Sequence, residues 1–226
     1  MASLNIAITS DLDRAARYYG AMAKQMRFAA AGAINNTAFD ARTSINSSTR
    51  QYLSNPVKFT QNAYRVDKAN KNTLSAVVYP ERLRRRYLRF AVEGGERPQK
   101  GFEKKFLSEV VGARQILQGA QFVPTSLVKL TPQGNVSLPT IRRIQAGLST
   151  SNARGGFFVG TPRGGDRPPG IYRRSREQLF PYFIATGDRG SYTRRFPIDD
   201  VAAKVVARRF SGYFQSSLER ALATAR

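Results

Sequence analysis

Any chemistry performed by this sequence is done without imidazole or thiol, because its 226 residues include no His and no Cys. Serine–imidazole and cysteine–imidazole nucleophiles and the common zinc ligand sets are excluded together, leaving carboxylate, Lys, Tyr or Ser chemistry. The carboxylates are few, and each candidate pair has a structural explanation beside the catalytic one. Asp11 and Asp13 are spaced like a metal pair, yet they follow Ser10 at a predicted helix start, where carboxylates meet free amides and the positive end of the helix dipole. Asp199 and Asp200 repeat this arrangement at the start of the last predicted helix. Glu93 and Glu96 bracket Gly94-Gly95 without a nearby third ligand, which falls short of a magnesium site. No Walker or GxGxxG element occurs, so no catalytic residue, metal site or cofactor is expected, and the expectation is a protein that is not an enzyme.

Two short stretches have nuclease counterparts. Gly170-Ile171-Tyr172 resembles the first half of the GIY-YIG signature, but the second half, Tyr-Ile-Gly, is replaced by Tyr182-Phe183-Ile184. A chance tripeptide in a strand is the preferred reading, with a GIY-YIG nuclease kept as a remote alternative. Glu103-Lys104-Lys105 resembles the Glu-x-Lys half of a restriction-type core; no acidic strand end precedes it, and a polar loop is expected there.

Charge is the dominant feature. Lys and Arg total 37 against 15 Asp and Glu, a net charge of +22 that favours polyanions or acidic partners. Arginine supplies 28 of the 37, a usage that suits partner contact and that a GC-rich genome would produce equally. The candidate contact residues for DNA or a protein partner are Arg82, Arg84, Arg85, Arg86 and Arg89, then Arg142 and Arg143, then Arg173, Arg174 and Arg176, and finally Arg194 and Arg195. Tyr87, Phe90, Tyr172 and Phe196 accompany them and offer stacking surfaces. Arg154-Gly155-Gly156 and Arg163-Gly164-Gly165 are similar to short RGG elements.

The elements that must position these residues suggest an α+β fold. Small and apolar residues at helical spacing predict one long helix from Ser10 to about Leu53, ~60 Å if continuous, so that part of it would project or pack on another subunit. Two shorter helices are the alternative. Asn55-Pro56 ends this segment. Strands are expected at 57–60, 74–79, 121–123 and 157–159, with 171–173 and 179–186 pairing antiparallel. Short helices are expected at 81–92, with Leu83, Tyr87 and Phe90 or Ala91 on its apolar side, and near 140–146. A last helix after Pro197 should bury Val201, Val205, Phe210, Tyr213, Phe214, Leu218 and Leu222. The expected layout is a long N-terminal helix over 1–54, then an α+β domain over 55–226 in which a central, mostly antiparallel sheet carries short helices and the C-terminal helix. Mobile loops are expected near 96–105 and 149–170.

The Ala-rich stretch Ala29 to Arg42, with Ala33-Ile34-Asn35-Asn36-Thr37-Ala38, the basic middle and the ending Arg195-Phe196-Pro197-Ile198-Asp199-Asp200-Val201 together resemble the minor tail protein Z group, the tail-completion proteins of long-tailed phages. Val136 to Leu148 and Gly170 to Arg174 look similar to stretches of such proteins. The resemblance implies a structural virion protein at the tail or neck, assembled in the host cytoplasm. It further implies a homo-oligomeric ring that contacts terminator, tube or connector proteins near phage DNA, without a membrane. A sequence-nonspecific nucleic-acid-binding protein is the alternative.

Overall fold

The computed structural model describes residues 6–9, 23–108, 120–149, 156–164, 166–176, 178–187 and 190–223. Its fold is α+β, and it divides into two compact units: residues 1–94 with 193–226, and residues 95–192. The second is therefore inserted in the chain of the first, and the division falls elsewhere than the expected boundary at 54. The physical reason lies in the long helix, which is no separate element but the spine of unit 1.

That helix, α1 (Ala23–Tyr52), has 30 residues, about 45 Å of rod. Ala30, Ile34, Ala38, Ala41 and Ile45 recur along it at helical spacing and are buried. The residues expected to cap its start, Ser10, Asp11 and Asp13, lie outside the described residues. Unit 1 also contains a three-stranded antiparallel sheet ordered β1 (Ile6–Thr9), β3 (Ser75–Pro80), β2 (Tyr64–Asp67). α1 lies against β2 and β3, while the C-terminal helix α6 (Ile198–Ala223) runs along α1 and reaches the sheet at β1. Gly32 faces Ser217, Tyr213 donates a 2.7 Å hydrogen bond to Asp40, and Tyr52 stacks on Phe196, so the two helices run antiparallel. The small residues of α1 permit this close approach, and the rod is covered by its own chain over Ala29 to Ile45 instead of projecting. On α6 the buried residues are Ile198, Ala202, Ser217 and Ala221; the larger residues expected there are half-buried, and Leu222 is exposed.

Two asparagines of α1 satisfy backbone at the sheet's edge. Asn35 donates to the Ala69 carbonyl (2.9 Å) and accepts from the Ala69 N–H (2.8 Å), and Asn46 accepts from the Tyr64 N–H (3.0 Å). The strand at 64–67 is one the hydrophobic pattern conceals, because Arg65 and Asp67 occupy its outward positions. Conversely, the expected strand at 57–60 is a helical turn, α2 (Lys58–Gln61). After Pro56 the amides of Thr60 and Gln61 turn back to the Val57 carbonyl, and the Gln61 side chain donates to the Pro56 carbonyl, closing the segment on itself.

Unit 2 opens and closes on a two-stranded pair, β4 (Gly95–Glu96) with β9 (Ser191–Tyr192). Its main sheet is antiparallel, in the order β5 (Gln121–Pro124), β8 (Gln178–Thr186), β7 (Gly170–Ser175), β6 (Phe157–Gly160). Helices α4 (Gly101–Ser108) and α5 (Leu138–Ser149) accompany it, and Phe106, Ile144 and Leu148 join Phe122, Phe157, Ile171 and Phe183 in one core. Part of the stretch expected to be a mobile loop, 96–105, is thus the start of α4. Gly170 belongs to the architecture: a Cβ there would overlap the Phe183 carbonyl oxygen across the β7–β8 ladder. Gly170→Ala should therefore cost about 3 kcal/mol or more through forced strand displacement. Chemical denaturation of unit 2 checks this, and an unchanged midpoint would refute the close packing.

Candidate functional site

Helix α3 (Arg82–Val92) carries the densest arginine cluster, and its buried face is turned by one residue, about 100°, from the expected one, with Phe90 and Ala91 half-buried. The buried stripe is Arg84, Leu88 and Val92, at i, i+4 and i+8, whereas Leu83 is 65% and Tyr87 41% exposed. Arg84 is turned inward by two partners on unit 1: its guanidinium pairs with Glu81 and lies 4.0 Å from the centre of the Phe59 ring. Arg84 is accordingly withdrawn from the surface residues expected to meet DNA or a partner. Tyr87 is held by a 2.9 Å hydrogen bond between its hydroxyl and that of Thr60, which locks α2 against α3. Leu83 and Tyr87, one turn apart on α3, are thus both exposed, and Phe59, which lies against the Arg84 guanidinium, is 48% exposed on α2. Arg82, Arg85, Arg86 and Arg89 are exposed on the same helix.

The remaining candidates are distributed over both units. Within unit 1, Arg195 is exposed, and Arg194 lies 3.4 Å from Asp199, which gives that carboxylate an ion-pair role at the start of α6. Within unit 2, Arg142 and Arg143 are exposed on α5, and Arg173 is exposed on β7. Arg174 and Arg176 are also exposed and line one cleft together with Arg163 and Phe158. In the sequence Arg163 belongs to a Gly-rich stretch; its convergence with β7 comes from the β6–β7 pairing.

Two residues with nuclease resemblances make structural contacts. Tyr172 is buried, stacks on Phe158, and donates a 2.6 Å hydrogen bond to the Pro168 carbonyl; burial raises its pKa above the ordinary phenol value. Glu103 lies in the first turn of α4, not in a loop, and is fully buried. Its two oxygens receive a bidentate pair from Arg97 (2.9 Å each), the Lys100 amide at the helix start and the Phe122 amide of β5 (3.2 Å). The reach back to the Lys100 amide is half of a capping box. Burial alone would raise the Glu103 pKa, but Arg97 and the two amides outweigh it and hold the carboxyl below its ordinary value. Lys100 is lowered by its own burial and then by the charge of Arg97. Among the described residues no three His, Cys, Asp or Glu side chains are grouped to hold a metal ion, and no helix is long and apolar enough to cross a membrane.

Comparison with family models, curated proteins and solved structures finds no match to this chain.

Because its folded pKa is depressed, Glu103 stabilises unit 2 above the ordinary carboxylate pKa, near ~4.3, and this contribution is lost as pH falls through the lower folded value. Glu103→Gln should cost about 3 kcal/mol at neutral pH and leave a variant whose stability depends less on acid. Denaturant titrations at neutral and acidic pH read both effects; a variant as stable as the parent at neutral pH would contradict the assignment.

Proposed function

We propose that this chain is a structural subunit of a tailed-phage particle, a tail-completion or neck component that assembles as a ring at the head-proximal end of the tail. The sequence resemblance to the minor tail protein Z group supports this reading. The single observation that carries the assembly role is the outer face of α3, where Leu83 and Tyr87 are exposed one turn apart on a helix studded with arginine, with Phe59 exposed on the adjoining α2. An apolar surface of this kind with a charged border is the signature of a contact face.

The charge of the border also selects the geometry of contact. Two copies meeting face to face through this same surface would bring Arg82, Arg85, Arg86 and Arg89 against their own images, which opposes a two-fold pairing. A head-to-tail contact, in which this surface meets a different and more acidic region of the next copy or of a terminator or connector protein, avoids that repulsion. Contacts of this type close into a ring when the rotation between successive copies divides a full turn.

Quantitative mass spectrometry of purified particles should find the chain at a fixed low copy number. Replacing Leu83 and Tyr87 by Glu should cost no more than about 2 kcal/mol of stability, most of it the lost Tyr87–Thr60 hydrogen bond, while lowering incorporation at least tenfold. Normal incorporation of the folded double variant would refute the role of this surface. Absence of the protein from particles, with free monomers coating DNA, would favour nonspecific nucleic-acid binding as the whole function.

A further inference from the structure

We infer that unit 2 holds a binding site for the phosphodiester backbone of a nucleic-acid strand, in the cleft where Arg163, Arg174 and Arg176 converge beside Phe158. The site stands on unit 2 alone and does not depend on the assembly role of α2 and α3.

The open cleft spans about 500 Å³, and among the described residues that line it there is no carboxylate. Its three guanidiniums come from separate segments: the loop after β6, strand β7 and the β7–β8 turn. Among the described residues none of the three takes part in an ion pair, so an anion bound in the cleft would relieve their mutual repulsion. Arg174 is pre-positioned. Its guanidinium lies 5.4 Å from the Phe158 ring centre, Phe158 stacks on Tyr172 at 5.7 Å, and Tyr172 is tied to the Pro168 carbonyl. A guanidinium held over a ring keeps its N–H donors for a ligand and loses less rotamer freedom on binding.

Arg176 adds an independent observation. It occupies the left-handed region, with φ of 50°, in the turn between Ser175 and Gln178. Two-residue hairpin turns favour Gly or Asn there, and an Arg costs on the order of 1 kcal/mol in strain. The backbone alone gives no reason for a guanidinium at this point; an anion in the cleft does. Successive phosphates of a strand can answer all three cations with bidentate contacts, whereas one protein carboxylate would leave two unanswered.

Fluorescence anisotropy with a labelled oligo-dT probe tests the site on the full chain, with inorganic phosphate as competitor. Arg176→Gly removes the charge and relieves the turn, so stability should hold or rise while affinity falls about tenfold. Arg174→Ala should weaken binding similarly, and each loss should reduce the slope of log affinity against log salt by about 0.7. Lys104→Ala with Lys129→Ala, two exposed cations of unit 2 outside the cleft, removes equal or greater charge and should change affinity less than threefold. Equal losses from this lysine pair would overturn the site in favour of diffuse attraction. So would competition by phosphate at micromolar concentration without oligonucleotide binding, or binding of poly-glutamate in place of DNA.

Discussion

With 15 carboxylates against 37 Lys and Arg side chains, most cations in this chain can have no internal counter-ion, and the placement of the few acids shapes everything else. Glu103 gathers Arg97, the start of α4 and the edge of β5 at one buried point of unit 2. In unit 1, Glu81 holds Arg84 against the core side of α3, and Asp40 on α1 receives Tyr213 and stands 3.8 Å from Arg209 of α6. These acids serve the fold. The arginines beyond their reach remain on the surface as uncompensated charge, and the field they create is a property of the folded chain as much as of its composition.

The two units use that surplus differently. In unit 1 the turning of Arg84 inward forces Leu83 and Tyr87 outward, so an ion pair that stabilises α3 is also what presents an apolar surface to solvent. In unit 2 the surplus is gathered by strand pairing: the Phe158–Tyr172 register of β6 and β7 sets the ring that supports Arg174, and the tight turn brings Arg176 alongside. One arrangement suits contact with another protein surface, the other a chain of phosphates.

Much of the fold is legible in the sequence because periodicity and punctuation carry it. The Ala and Ile spacing of α1, the stop at Gly94-Gly95, where both residues have positive φ, and the apolar run of β8 all correspond to the elements observed. Three features escape for physical reasons. The strand Tyr64–Asp67 hides behind its outward charges, and Val57 to Thr60 looks extended until Pro56 and Gln61 fold it into a turn. The inward face of α3 is misread because an Arg lying over Phe59 and paired with Glu81 can occupy a buried helical position that apolar counting assigns to Leu83. Of the candidate surface arginines, the cluster on α3 and the group on β7 were visible as runs, but Arg163 joins Arg174 and Arg176 only through the three-dimensional pairing of strands.

The central claim is that Leu83 and Tyr87 are covered when the chain is at work. Hydroxyl-radical footprinting read by mass spectrometry measures this directly, by comparing oxidation of these two side chains in the free protein and in purified particles. The account predicts strong oxidation of both in the free chain and marked protection in the particle, with exposed residues such as Phe28 as internal reference. Equal oxidation of Leu83 and Tyr87 in the two states would contradict it.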